Sequence, residues 1–135
     1  GTVRLHHVAF AERHGAALVA TLERVLGFTV DSSEEAPGFI ERMLGMDNCA
    51  LQALEATGDG VVARFLDRRG PGLHHIALEV PDLDGTLEHL SSHGIRLIDE
   101  KPRIGGGGHR IAFAHPDAFG GVLVEFVEVP VGRED

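Results

Sequence analysis

The chain has 135 residues, 43% hydrophobic and 24% charged, which suits one domain with a substantial core or two small modules sharing one. Its net charge of −9 with histidine neutral offers no basic face for a phosphate backbone, so nucleic acid is not an expected partner. No apolar run approaches the ~20 residues of a membrane span, and no signal-like leader opens the sequence. A cytoplasmic protein without membrane contact is expected, and the one cysteine, Cys49, excludes an internal disulfide.

Taken in chain order, the predicted elements repeat. Leu5-His6-His7-Val8-Ala9-Phe10 recurs as Leu73-His74-His75-Ile76-Ala77-Leu78, with four of six positions identical and two apolar exchanges. After the first copy, Gly15–Leu26 has apolar residues at helical spacing and stops at Gly27. Strand-like runs follow at Phe28–Ser33, Phe39–Gly45 and Cys49–Glu55, the last reading Cys49 as a small buried residue. Residues 57–71 form a connector, in which Val61, Val62, Phe65 and Leu66 suggest a short amphipathic helix. After the second copy, Asp82 is a good N-cap, Leu83, Leu87 and Leu90 share a helical face, and Gly94 ends the run. Strands are then expected at Ile95–Ile98, Arg110–Ala114 and Val122–Val129, with Gly105–Gly108 as a loop. The expected fold is α+β, a single domain over residues 1–135. It is built of two βαβββ modules, about 3–56 and 72–129, whose curved mixed sheets enclose a central metal-binding cleft.

Alternation along strands allows one polar residue from each of several strands to converge on such a cleft. His7 and His75 hold equivalent places on the two opening strands. Glu125 sits among apolar neighbours in Val122-Leu123-Val124-Glu125-Phe126-Val127, where an ionised group is costly unless paired or metal-bound. Gln52 has similar flanks in Ala50-Leu51-Gln52-Ala53-Leu54. The offsets are comparable: 52 − 7 = 45 and 125 − 75 = 50 residues. Two imidazoles, a carboxylate and an amide oxygen suit a divalent ion such as Co²⁺, Mn²⁺, Zn²⁺ or Ni²⁺, with places left for substrate. His6 and His74, one residue away, are expected on the opposite face as structural residues.

The chain resembles the vicinal oxygen chelate superfamily and, within it, the methylmalonyl-CoA epimerase family. The stretches that carry this are Gly72–Val80, Asp99–Gly105, His115-Pro116 and Gly121–Glu125. The resemblance implies His7, Gln52, His75 and Glu125 as ligands of a divalent metal, Co²⁺ first among them. Gln52 matches the epimerase pattern, whereas glyoxalase I usually has glutamate there. Glu41, in Gly38-Phe39-Ile40-Glu41, falls where some epimerases carry a proton-transferring base; its alternative is a solvent-facing strand glutamate. The sequence departs from the family pattern at Ala36-Pro37, Phe39, Ala56 and Asp117.

The function so implied is a metal-dependent isomerase that removes and returns the C2 proton of a 2-carboxyacyl-CoA such as methylmalonyl-CoA. Inversion needs a group on each face of C2, and Glu41 and Glu125 are the candidates. Lys101, Arg103 and Arg110, with Arg42, Arg64 and Arg68 behind them, are candidate contacts for coenzyme A phosphates. A homodimer is expected from the resemblance. The alternatives are a glyoxalase-I-like lyase or isomerase on a thiol adduct and a metal-free drug-binding resistance protein of the same fold.

Overall fold

The computed structural model describes residues 3–131. The first module comprises β1 (Arg4–Glu12), α1 (Leu18–Leu26), β2 (Val30–Ala36), β3 (Phe39–Gly45) and β4 (Ala50–Ala56). The second comprises β5 (Gly72–Val80), α3 (Leu83–Ser92), β6 (Arg103–Ile104), β7 (Arg110–Ala114) and β8 (Leu123–Glu128). Each therefore has the expected order of strand, helix and three strands. The connector carries α2 (Val61–Arg69). By internal contacts the chain divides into two compact units, His7–His74 and the remainder from His75 onward with the residues through His6. Among the described residues, no helix is long and apolar enough to cross a membrane.

Strand pairing within each module is mixed, and for the same reason. In the first, β1 and β4 run parallel while β4–β3 and β3–β2 are antiparallel, giving the order β2-β3-β4-β1. In the second, β5 and β8 are parallel while β8–β7 and β7–β6 are antiparallel, giving β5-β8-β7-β6. Opening and closing strands point the same way because a helix and a hairpin intervene, and a parallel pair needs such a crossover.

The helix boundaries follow from chain chemistry. Gly27 ends α1 in the left-handed conformation at φ 73°, its N–H donating to the Leu22 carbonyl. The Asp82 carboxylate caps α3 by accepting the Gly85 N–H at 3.1 Å. That helix lays Leu83 and Leu87 on Val80, Ala112, Ala114, Val124 and Phe126, forming the main core of the second module. Burying each leucine contributes roughly 1.5–3 kcal/mol. In the first module, Val62 and Leu66 of α2 pack on Ala9, Ala11 and Leu54.

Several boundaries differ from expectation, and β2 runs over Val30–Ala36 rather than the expected Phe28–Ser33. Ile95–Ile98 is not a strand; only Leu97 makes an isolated bridge, to Ala114, and the edge position beside β7 is taken by Arg103–Ile104. The residues around Leu97 are bonded one at a time instead: Ile98 N–H and Asp99 N–H both donate to the Phe113 carbonyl, and His115 N–H donates to Arg96. Gly105–Gly108 contains a 3₁₀ turn over Gly106–Gly108. Cys49 lies in the turn ahead of β4, half-buried, not within the strand.

The β2–β3 hairpin turns on Pro37-Gly38, with Ala36 opposite Phe39. Gly38 has φ +86°, and an added Cβ would come within 2.2 Å of the Asp59 carbonyl oxygen. Its own carbonyl accepts the Thr57 N–H at 2.8 Å. Gly38→Ala is therefore expected to destabilise the fold by more than about 1 kcal/mol, read as a lowered midpoint in denaturant unfolding.

Candidate functional site

Each sheet has two faces, and register assigns the residues to them. In the second module His75, Ala77 and Glu79 of β5 point one way, as do Leu123, Glu125 and Val127 of β8, with Ala77 opposite Glu125. Phe113 of β7 is opposite Glu125 and shares that face. The other face carries Val80, Val124, Phe126, Ala112 and Ala114 beneath α3. On the first face, His75 Nε2 lies 3.1 Å from Glu125 Oε1, and both side chains are buried, 5% and 9% exposed. The Phe113 ring stands edge-on to the His75 ring, with centroids 5.5 Å apart at 82°. Ala77, Ile111 and Val127 complete the apolar surround.

In the first module, His7, Ala9 and Ala11 of β1 share a face with Ala50, Gln52 and Leu54 of β4, Ala9 being opposite Gln52. His7 and Gln52 are buried. On β3, Met43 is opposite Gln52 and Glu41 opposite Leu54, so Glu41 belongs to the same face. Glu41 is diagonal to Gln52, a relation that spaces residues by roughly 7–8 Å, and it is half-buried. His7, His75 and Glu125 each offer one metal-ligating atom, a ring nitrogen or a carboxylate oxygen. His6 and His74 point to the opposite faces. The His6 ring meets the His109 ring edge-on, and the His74 ring packs against Phe65.

With the two faces defined, the comparisons with known proteins bear on what they are. The family profile of the Glyoxalase/Bleomycin resistance protein/Dioxygenase superfamily matches residues 6–113. The chain belongs to this superfamily. It is 33% identical to the ethylmalonyl-CoA/methylmalonyl-CoA epimerase of Cereibacter sphaeroides, covering 93% of this chain and 98% of that one. It is 32% identical to the mitochondrial methylmalonyl-CoA epimerase of Dictyostelium discoideum, covering 95% and 80%. A solved methylmalonyl-CoA epimerase in complex with methylmalonyl-CoA and NH₄⁺ superposes with a TM-score of 0.89 at 32% identity, covering 100% of this chain and 99% of that one. The α+β fold of paired βαβββ modules is the one this superfamily shares with those epimerases.

Several cations singled out in the sequence are committed to carboxylates. Arg110 Nη1 reaches Glu128 Oε1 at 3.0 Å and its Nη2 reaches Asp84 Oδ2 at 3.0 Å. Arg42 Nη1 lies 2.6 Å from Glu55 Oε1. A cavity of about 430 Å³ beside α3 is lined by Lys101 and Arg110 but also by Asp84, Glu88 and Glu100. Arg110 pairs with Glu128, which shares the α3-side face with Phe126, so this cavity is on the face turned away from His75 and Glu125.

Sequence reading missed a duplicated structural bond. Glu55 Oε2 accepts the Gly15 N–H at 3.0 Å, and Glu128 Oε2 accepts the Leu83 N–H at 2.9 Å. The offsets, 83 − 15 = 68 and 128 − 55 = 73, equal those of the ligand candidates, 75 − 7 = 68 and 125 − 52 = 73. In each module, then, the last strand anchors the approach to the first helix. The available signal was a glutamate three residues after each of Gln52 and Glu125.

Glu55 also meets His14 Nδ1 at 2.9 Å. The Arg42 guanidinium and the Gly15 N–H hold its carboxyl below the usual range. Glu12, opposite Glu55 on β1, is buried with Oε1 lacking a hydrogen-bond partner. Burial pushes its carboxyl up, and the Glu55 charge adds to this; the Leu18 N–H and Arg42 oppose them. The folded state therefore binds this proton more tightly than the unfolded chain. The favourable contribution is full below the unfolded pKa and is lost as pH rises through the folded one. Glu12→Gln, whose amide can donate to Glu55, is expected to raise stability at pH 7 by about 1 kcal/mol. The gain should shrink as pH falls toward 4, measured by denaturant unfolding across that range.

Proposed function

We propose that this protein is a metal-dependent epimerase of a 2-carboxyacyl-CoA such as methylmalonyl-CoA. The observation that carries the reading is the buried His75–Glu125 pair on an apolar sheet face, in a chain that aligns nearly end to end with methylmalonyl-CoA epimerases. The donor set of His7, Gln52, His75 and Glu125 fits a divalent ion: two neutral imidazoles, an amide oxygen and a carboxylate, each buried on an apolar strand. Co²⁺ is the first expectation, with Mn²⁺, Zn²⁺ and Ni²⁺ compatible with the same atoms. When bound, the ion supplies Lewis-acid polarisation of the thioester carbonyl and so raises the acidity of C2.

The chain's own residues handle the proton. Glu41, on the face of Gln52 and half-buried, takes the C2 proton, leaving an enolate. Return to the opposite face needs a second group that carries a proton: Glu125 in its protonated form, held only weakly by the metal, or a bound water, while Glu41 passes its proton to solvent. The apolar surround of Ala77, Phe113, Ile111 and Val127 keeps bulk water from the His75–Glu125 pair. The active unit in this reading is a homodimer, which sedimentation velocity checks.

Three experiments test the assignment. Deuterium should enter C2 of methylmalonyl-CoA in heavy water at a rate far above the uncatalysed exchange; exchange at the background rate would sink the epimerase reading. Glu41→Gln should lower turnover at least 100-fold, in line with loss of a general base, while metal per chain stays at the wild-type value. His75→Ala should lose both metal, by elemental analysis, and turnover.

A further inference from the structure

We infer that Arg103 recognises the free carboxylate of the acyl group and so sets the preference for carboxyacyl thioesters. This inference rests on the epimerase reading above. In β6, Arg103 is opposite Ile111 of β7, and Ile111 points to the face shared by Phe113, His75 and Glu125. Register therefore directs Arg103 to that face, while its neighbour Ile104, opposite Arg110, belongs to the α3 side. A ring contact agrees with this placement. The Arg103 guanidinium carbon lies over the Phe113 ring, 5.5 Å from its centroid, and the same ring meets His75 edge-on at 5.5 Å. One aromatic ring thus separates the guanidinium from the buried His75–Glu125 pair.

The guanidinium is also held in place. Arg103 Nε donates to Asp99 Oδ1 at 3.1 Å, and Asp99 Oδ2 accepts the Phe113 N–H at 2.9 Å. Asp99 is largely buried, whereas the Arg103 side chain is 53% exposed. The bond to Asp99 uses Nε, which leaves the end-on edge formed by the two terminal nitrogens to meet an anion. Arg110 presents the opposite case, both terminal nitrogens being occupied by Glu128 and Asp84. The anion within reach is the carboxylate at the reacting end of the substrate. Coenzyme A phosphates lie at the far end of the pantetheine arm, beyond reach of a cation so near the ligand pair. Recognition of an anion by a pre-set guanidinium also disfavours the analogue that lacks it.

The experiment compares methylmalonyl-CoA with propionyl-CoA, which lacks the free carboxylate, in binding to the metal-loaded protein. Arg103→Gln is expected to weaken methylmalonyl-CoA by roughly 10- to 100-fold, the range of a charge-assisted hydrogen bond. Propionyl-CoA affinity and metal content should be unchanged. Arg103→Lys, which keeps the charge but not the fork, should fall between the two for methylmalonyl-CoA only; it carries the test if the glutamine variant fails to fold. Equal weakening of both thioesters would assign Arg103 to the coenzyme A phosphates and overturn the inference, as would no change for either. A wild-type protein that exchanges C2 deuterium while Arg103→Gln discriminates as before refutes only this inference. A wild-type protein without exchange refutes the epimerase reading, and the inference with it.

Discussion

An imidazole and a carboxylate buried side by side on an apolar strand face are the constraint around which the second module is arranged. Neither His75 nor Glu125 is favourable there as an isolated ion, since desolvation of a charge exceeds what one neutral neighbour returns. The parallel pairing of β5 with β8 brings the two into one site, and the aliphatic residues around them provide the low-polarity surround. That environment is costly for an unpaired charge and strengthens any ion–ligand interaction made within it. Stability and function therefore pull against each other at these positions. The opposite face, packed under α3, supplies the apolar burial that offsets the cost.

Duplication extends the same logic to the supporting bonds. Glu55 and Glu128 each fix the backbone ahead of their module's first helix and each hold an arginine, Arg42 and Arg110 respectively. These arginines are thereby withdrawn from ligand binding. Charge on the strand faces of Glu55 and Glu128 works as fastening, whereas the buried polar residues His7, Gln52, His75 and Glu125 lie on the opposite strand faces. The modules differ at one repeat position, where the amide of Gln52 corresponds to the carboxylate of Glu125; in the proposed donor set this limits the negative charge to one. Asp117 is tied to His115 and Arg96.

Arg103 shows how a residue's role depends on its partners. Its bond to Asp99 and its place over Phe113 join a surface cation to the ring that packs against His75. The family resemblance offered Arg103 only as one of several basic residues. Register and ring contacts separate it from the others.

The sequence by itself determined the duplicated His-His strands, the helix stops at Gly27 and the cap at Asp82, and the assignment of His7, Gln52, His75 and Glu125 to particular strands. These were legible because strand alternation, helical periodicity and capping are local properties, repeated here at nearly constant offsets. Ile95–Ile98 meets β7 only at the Leu97–Ala114 bridge and, through the Ile98 N–H, at the Phe113 carbonyl. Tertiary structure alone decided that Arg103–Ile104 lines the edge of β7 opposite Ile111 and Arg110, because which segment pairs with a strand depends on where the rest of the chain places it. It alone revealed Glu12 as a buried carboxyl with an unpartnered oxygen, because burial depends on chain segments far away in sequence. It also decided which arginines are already neutralised, for an ion pair such as Arg110–Asp84 joins residues 110 and 84 by a register that no local pattern encodes.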